Sequence, residues 1–154
     1  MATSGKLLLT MVEARLERDT EMIGKMDPYV VISQRMEKFR TKTQDGAGKN
    51  PVWDEIVTLD VKYIGDDLTI WVKDEEICED ELIGETTCKL SSLCVEGGID
   101  DWWQLTYKGK KAGMLHMKGE WQPAGGNPMA TAAARKPGVI AGQPQIVNTA
   151  PTYL

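Results

Sequence analysis

The chain has 154 residues, 42% of them hydrophobic and 27% charged, which is enough for one domain with a sizeable core and little else. Its formal charge of −5 excludes a general nucleic-acid binder, because neutralising phosphates needs a basic surface. Every carboxylate precedes Trp121, and of the basic residues only Arg135 and Lys136 follow it, so the first 121 residues are more acidic still and favour cationic partners.

Period-two alternation dominates from the N-terminus onward. Leu7, Leu9 and Met11 predict one apolar strand face, and Val30 and Ile32 a second. Trp53, Val57 and Leu59 follow, then Leu68, Ile70 and Val72, and finally Leu115 and Met117. Turn residues separate these runs at Asp27-Pro28, Asp45-Gly46-Ala47-Gly48, Asn50-Pro51, Gly65-Asp66-Asp67 and Gly97-Gly98. Short alternating runs between turns predict an antiparallel β-sandwich, with one helical turn at Leu90–Cys94. Trp53 is read as core.

After Trp121 the character changes: five of the seven prolines fall in residues 122–154, with little charge and no sustained period. Such a segment cannot bury enough surface to offset its ordering entropy, and it is expected to be a disordered tail unless bound. Its apolar pairs Val139-Ile140 and Ile146-Val147 are candidate anchors for a protein partner. The terminal Thr152-Tyr153-Leu154 fits only a short, degenerate carboxylate-capture pattern.

No apolar run is long enough to span a bilayer, and the N-terminus lacks a signal core. The three cysteines Cys78, Cys88 and Cys94 show no CxxC spacing, so neither a disulfide framework nor a zinc site is expected. These features predict a cytoplasmic protein, at most peripherally attached to membrane or cytoskeleton.

Several local patterns occur in the order found in one family. Gly5-Lys6-Leu7 with Leu9 opens the first strand, and Gly24-Lys25-Met26-Asp27-Pro28-Tyr29-Val30 is a loop entering a strand. Arg40-Thr41-Lys42-Thr43, Asn50-Pro51-Val52-Trp53-Asp54-Glu55, Ile83-Gly84-Glu85, and a final pair of strands carrying Trp103, Leu105, Leu115 and Met117 complete the series. Over residues 5–121 the chain resembles C2 domains. The resemblance implies an all-β, antiparallel, eight-stranded C2-type sandwich over residues 5–121, followed by the 122–154 tail.

The segment Asp74-Glu75-Glu76-Ile77-Cys78-Glu79-Asp80-Glu81 crowds carboxylates between two strands. Like charges at such range repel, take up protons or share a cation, and calcium suits an irregular all-oxygen site. The resemblance places calcium ligands at Glu21, Asp27, Asp74, Glu76 and Glu81, with Asp19 and Asp80 in reserve. Calcium-binding relatives usually carry aspartate at all five places, whereas this chain keeps it only at Asp27 and Asp74. Glutamate is one methylene longer and loses more rotamer freedom, so weak affinity is expected; the alternative is an acidic loop that has lost the metal.

By the same resemblance, Met22, Ile23 and Ile77 are candidate membrane-inserting tips. Lys38, Arg40 and Lys42 alternate and so are expected on one strand face, at places that in some C2 domains contact phosphoinositide headgroups. Solvated surface is the plain alternative for both groups.

Catalysis finds no constellation. The lone His116 sits in an alternating strand with no Gly-x-Ser-x-Gly before it. Gly48-Lys49 lacks the remaining residues of a phosphate loop, with Thr43 where a glycine is needed and Asn50 where a Ser or Thr is needed. Two non-enzymatic functions stay open. One is calcium-assisted attachment to anionic phospholipid membrane. The other is a calcium-independent interaction component of a larger assembly, strapped in place by its tail.

Overall fold

The structure, a computed structural model, describes residues 2–125. Eight strands follow in chain order: β1 (Gly5–Leu16), β2 (Pro28–Gln34), β3 (Glu37–Arg40), β4 (Val52–Val61), β5 (Asp67–Asp74), β6 (Glu81–Lys89), β7 (Ile99–Tyr107) and β8 (Lys110–Pro123). The expected helical turn is a single 3-10 turn at Leu90–Ser92, through which Leu90 and Leu93 reach the core.

Every strand pair is antiparallel, in the order β3-β2-β5-β6-β7-β8-β1-β4. β6 and β7 share one pairing only, Glu85 with Thr106. At that hinge the order folds into two layers, β3-β2-β5-β6 and β7-β8-β1-β4, which form a sandwich. β1 lies between β8 and β4, so the first and last strands are neighbours.

Leu9, Val30, Ile70 and Leu115 are fully buried, and Trp53 nearly so, as the alternation predicts. The Trp53 indole N–H donates to the Pro28 carbonyl across 3.1 Å, tying β4 to the first residue of β2. In β1 the inward set is Leu7, Leu9 and Met11, then Ala14 and Leu16. A bulge between Met11 and Glu13 inserts the extra residue that changes the phase. Gly84 faces the other layer, where a Cβ would stand 3.0 Å from the Ala112 Cβ and 3.1 Å from the Leu105 Cβ. The layers can approach this closely only without a side chain there.

β8 continues through Gln122 and Pro123, and the Ala124 N–H donates to Ser4 O. The expectations for the rest of the tail, including Val139-Ile140, Ile146-Val147 and Thr152-Tyr153-Leu154, fall outside the described residues. Among the described residues no helix is long and apolar enough to cross a membrane.

Candidate functional site

Strand direction brings the first loop (17–27), the second (41–51) and the third (75–80) to one end of the sandwich. Asp74, the last residue of β5, stands opposite Glu81, the first residue of β6. All five expected ligands are therefore at this end, but they do not all meet.

Asp74 is the centre. Its side chain is buried, accepting from the Thr20 hydroxyl at 2.6 Å and the Asp27 N–H at 2.8 Å. Glu21 and Glu76 join it, and one oxygen from each of the three carboxylates lies within 4.8 Å of the others. Hydrogen bonding to Asp74, then to Glu76, pushes Glu21 up to about 8, so it holds a proton that its neighbours share. Burial alone would raise Asp74. The hydrogen bonds from Glu21, Thr20 and the Asp27 amide outweigh that and hold its carboxyl below the ordinary range.

Asp27 and Glu81 stand outside this group. One Asp27 oxygen accepts from the Gly46 N–H at 2.6 Å, which turns the carboxylate toward the second loop. Gly46 can present that N–H because it adopts a φ of 67°, where a side chain is disfavoured. Glu81 is exposed at the strand start. Of the reserves, Asp80 accepts from the Tyr29 hydroxyl and the Glu76 N–H, and Asp19 accepts from the Glu21 N–H. The gathered donor set is thus three carboxylates rather than five. It matches a hard cation in chemistry and leaves room for carbonyl or water oxygens.

Around this centre Met22, Ile23 and Ile77 are almost wholly exposed, at 99%, 89% and 102% of a free side chain. Met26, by contrast, is buried beneath the first loop, where its sulfur accepts the Thr20 N–H.

On the outer face of β3, β2 and β5, Lys38 lies 5.5 Å from the Trp71 ring centroid, and the Arg40 guanidinium lies 3.6 Å from that of Tyr29. Arg40 is also paired with Glu75 at 2.6 Å and donates to Thr43 at 2.9 Å, so much of its charge is committed. Lys42 does not share the strand face expected for it. β3 ends at Arg40, and the Lys42 N–H instead donates to Glu55. The odd positions of β5, Trp71 and Lys73, supply the rest of this face. They went unremarked in the sequence, although the buried even positions Leu68, Ile70 and Val72 imply them.

The family profile described as "C2 domain" matches residues 5–105. The chain belongs to the C2 domain family. Among curated relatives, a protein named "Calcium-dependent lipid-binding protein" from Arabidopsis thaliana is 39% identical over 101 residues, covering 62% of this chain and 18% of that protein. "Elicitor-responsive protein 3" from Oryza sativa subsp. japonica is 29% identical over 96 residues, covering 62% of this chain and 67% of its own length. Among solved structures, the C2A domain of plant extended synaptotagmin 1 superposes with a TM-score of 0.71 at 21% identity, over 80% of this chain and 98% of that one. A calcium-bound pair of C2 domains from extended synaptotagmin 2 gives 0.68 at 26% identity, over 79% and 46%.

One feature of this C2 domain was missed in sequence. His116, in sequence only a lone histidine within an alternating strand, is held between Glu13 (Nδ1 to Oε2, 2.9 Å) and Asp100 (Nε2 to Oδ1, 2.5 Å) on the outer face of the second layer. It stacks on Trp102 at 4.8 Å, and the Arg15 guanidinium also lies 4.6 Å from the Trp102 ring centroid. The bond to Glu13, then that to Asp100, raises its pKa.

Proposed function

We propose that this C2 domain is a membrane-attachment module that works by binding, with calcium held at Glu21, Asp74 and Glu76. The observation carrying the reading is that these three carboxylates gather within 4.8 Å at the same end as Met22, Ile23 and Ile77. Apolar tips embedded in an acidic end cannot approach an anionic leaflet, because the carboxylates are repelled and stay hydrated. Bound calcium supplies the positive charge that offsets them. Asp74 and its partners fix the acid cluster, and the apolar tips then enter the headgroup region. Lys38, with Trp71 beside it and Lys73 further along the same face, offers a secondary contact for phosphorylated headgroups. A relative named for calcium-dependent lipid binding and a calcium-bound neighbour support the reading.

Calorimetric titration with calcium, with and without vesicles of phosphatidylcholine and phosphatidylserine, tests it. Weak binding alone that tightens on the anionic vesicles is the expected outcome. Absence of both calcium heat and vesicle association overturns the reading. That result favours the calcium-independent assembly component with residues 122–154 as its strap.

A further inference from the structure

The same end of the sandwich carries a basic corner that the acidic loops conceal in the net charge. β7 and β8 are joined by Lys108-Gly109, with Tyr107 paired to Lys110 and Thr106 to Lys111. Lys108, Lys110 and Lys111 are all exposed. The turn is locked to the base of the first loop: the N–H groups of Glu17 and Arg18 both donate to the Ala112 carbonyl, at 2.7 and 3.1 Å. The Arg18 guanidinium lies 3.7 Å from the Tyr107 ring centroid, which fixes a fourth positive charge in place. Against these four stands Glu17, 3.1 Å from the Lys111 ammonium. The Lys108 ammonium lies 5.3 Å from the Tyr107 ring centroid, and among the described residues neither Lys108 nor Lys110 makes an ion pair. The Tyr107 phenol registers the local field: bonding to Arg18, then the charge of Lys108, holds its pKa below the ordinary value.

The turn chemistry is the second observation. Both central residues have positive φ, 50° at Lys108 and 78° at Gly109. A two-residue hairpin of this kind favours Asn, Asp or Gly at its first position. A lysine there breaks the local rule, and such departures concentrate where a side chain has a task.

We propose that the Lys108–Lys111 turn, with Arg18, is a second contact for anionic phospholipid headgroups, distinct from the side face of Lys38 and Arg40. It seats the second layer of the sandwich on the leaflet that the loop tips enter. The inference rests on the membrane reading above. A lipid surface, rather than an acidic protein, is favoured because the corner is joined by backbone hydrogen bonds to the loop that carries Met22 and Ile23. With the tips and the corner both engaged, the domain stands on its loop end instead of lying on its side face.

The test is vesicle co-sedimentation in calcium with the full chain, comparing wild type with Lys108→Asn plus Lys110→Gln. Asparagine suits the positive φ, so the fold is retained, which thermal unfolding checks. Each lysine near an anionic surface contributes about fivefold, so the pair should weaken binding to phosphatidylserine-containing vesicles roughly 25-fold. Calcium affinity without lipid should not change, and soluble glycerophosphoserine should not compete. Unchanged vesicle affinity in the folded double variant overturns this inference while leaving the membrane reading intact. Failure of the wild type to bind anionic vesicles at all overturns the membrane reading itself. Competition by glycerophosphoserine shows a small-anion site and overturns the lipid-surface assignment.

Discussion

Glu21 and Asp74 are neighbouring acids in one cluster, yet their neutralisation should change stability in opposite directions. The chelated, ion-free protein is the state to compare. In Asp74→Asn the amide oxygen can still accept from the Asp27 N–H, at 2.8 Å in the wild type, while the Thr20 hydroxyl, at 2.6 Å from the other carboxylate oxygen, must turn to accept from the new NH2, and both bonds lose the charge. A hydrogen bond to a charged group contributes about 1 kcal/mol more than a neutral one, so the loss is about 2 kcal/mol. Relief of repulsion works against that loss. The direction of the shift decides between them: Asp74 is held below its ordinary range, so its surroundings favour the charge on balance. Thermal unfolding should therefore show a drop of several degrees, since 1 kcal/mol is worth about 4 °C in a domain of this size.

Glu21 is the reverse case. Its pKa rises from 4.5 to about 8, so between those values the native state holds a proton that the unfolded chain has released. Folding stability falls as pH rises through that window. Glu21→Gln removes the penalty, so the variant should gain on wild type as pH climbs from 4.5 and keep the full advantage above 8. Both variants should weaken calcium binding, because each removes a charged donor. A destabilised Glu21→Gln, or an Asp74→Asn as stable as wild type, would refute the claim that these acids share one crowded centre around Asp74.

Trp53→Phe should cost about 1–3 kcal/mol in urea unfolding, because it opens a small void and removes one of two donors on the Pro28 carbonyl, which keeps the Gln44 N–H at 2.9 Å; a cost under about 0.5 kcal/mol would show that the indole N–H does not anchor β2. His116 has a raised pKa, so its protonated form stabilises the fold fully below the ordinary value of 6.5, and that contribution is lost as pH rises through the native value. The stability difference between wild type and His116→Gln should shrink over that range, and a difference flat with pH would remove the role assigned to Glu13 and Asp100.

How much of this was legible in the sequence depends on what each feature needs. Strands with one buried face need only alternation, so β2, β4, β5 and β8 can be read directly. β1 could be read only to Met11, because a bulge changes the phase and nothing in the Met11-Val12-Glu13 run announces it. Gly84 belongs to the motif that carried the resemblance, but its reason, contact with Ala112 and Leu105 from the other layer, is a long-range fact. At the site, residue type placed the acids on the right loops. Which of them meet is set by competing donors, such as the Gly46 N–H that claims Asp27. The Lys108 turn does have a local signal, a residue-glycine pair between two alternating runs.

Net charge misleads for a similar reason. A leaflet senses charge within about one Debye length, roughly 8–10 Å at physiological salt. The 12-residue β1 alone spans about 40 Å from one end of the sandwich to the other. At the end away from the loops, Asp60, Asp66 and Asp67 are paired with Lys62, Arg35 and Lys89, and they lie beyond that range. On the membrane reading proposed above, a leaflet would meet not a chain of charge −5 but a local contest between one acid cluster and one basic corner. The acid cluster can be offset by a cation, whereas the basic corner is permanent. On that reading, a domain acidic overall could still approach an anionic surface once a cation offsets its acid cluster.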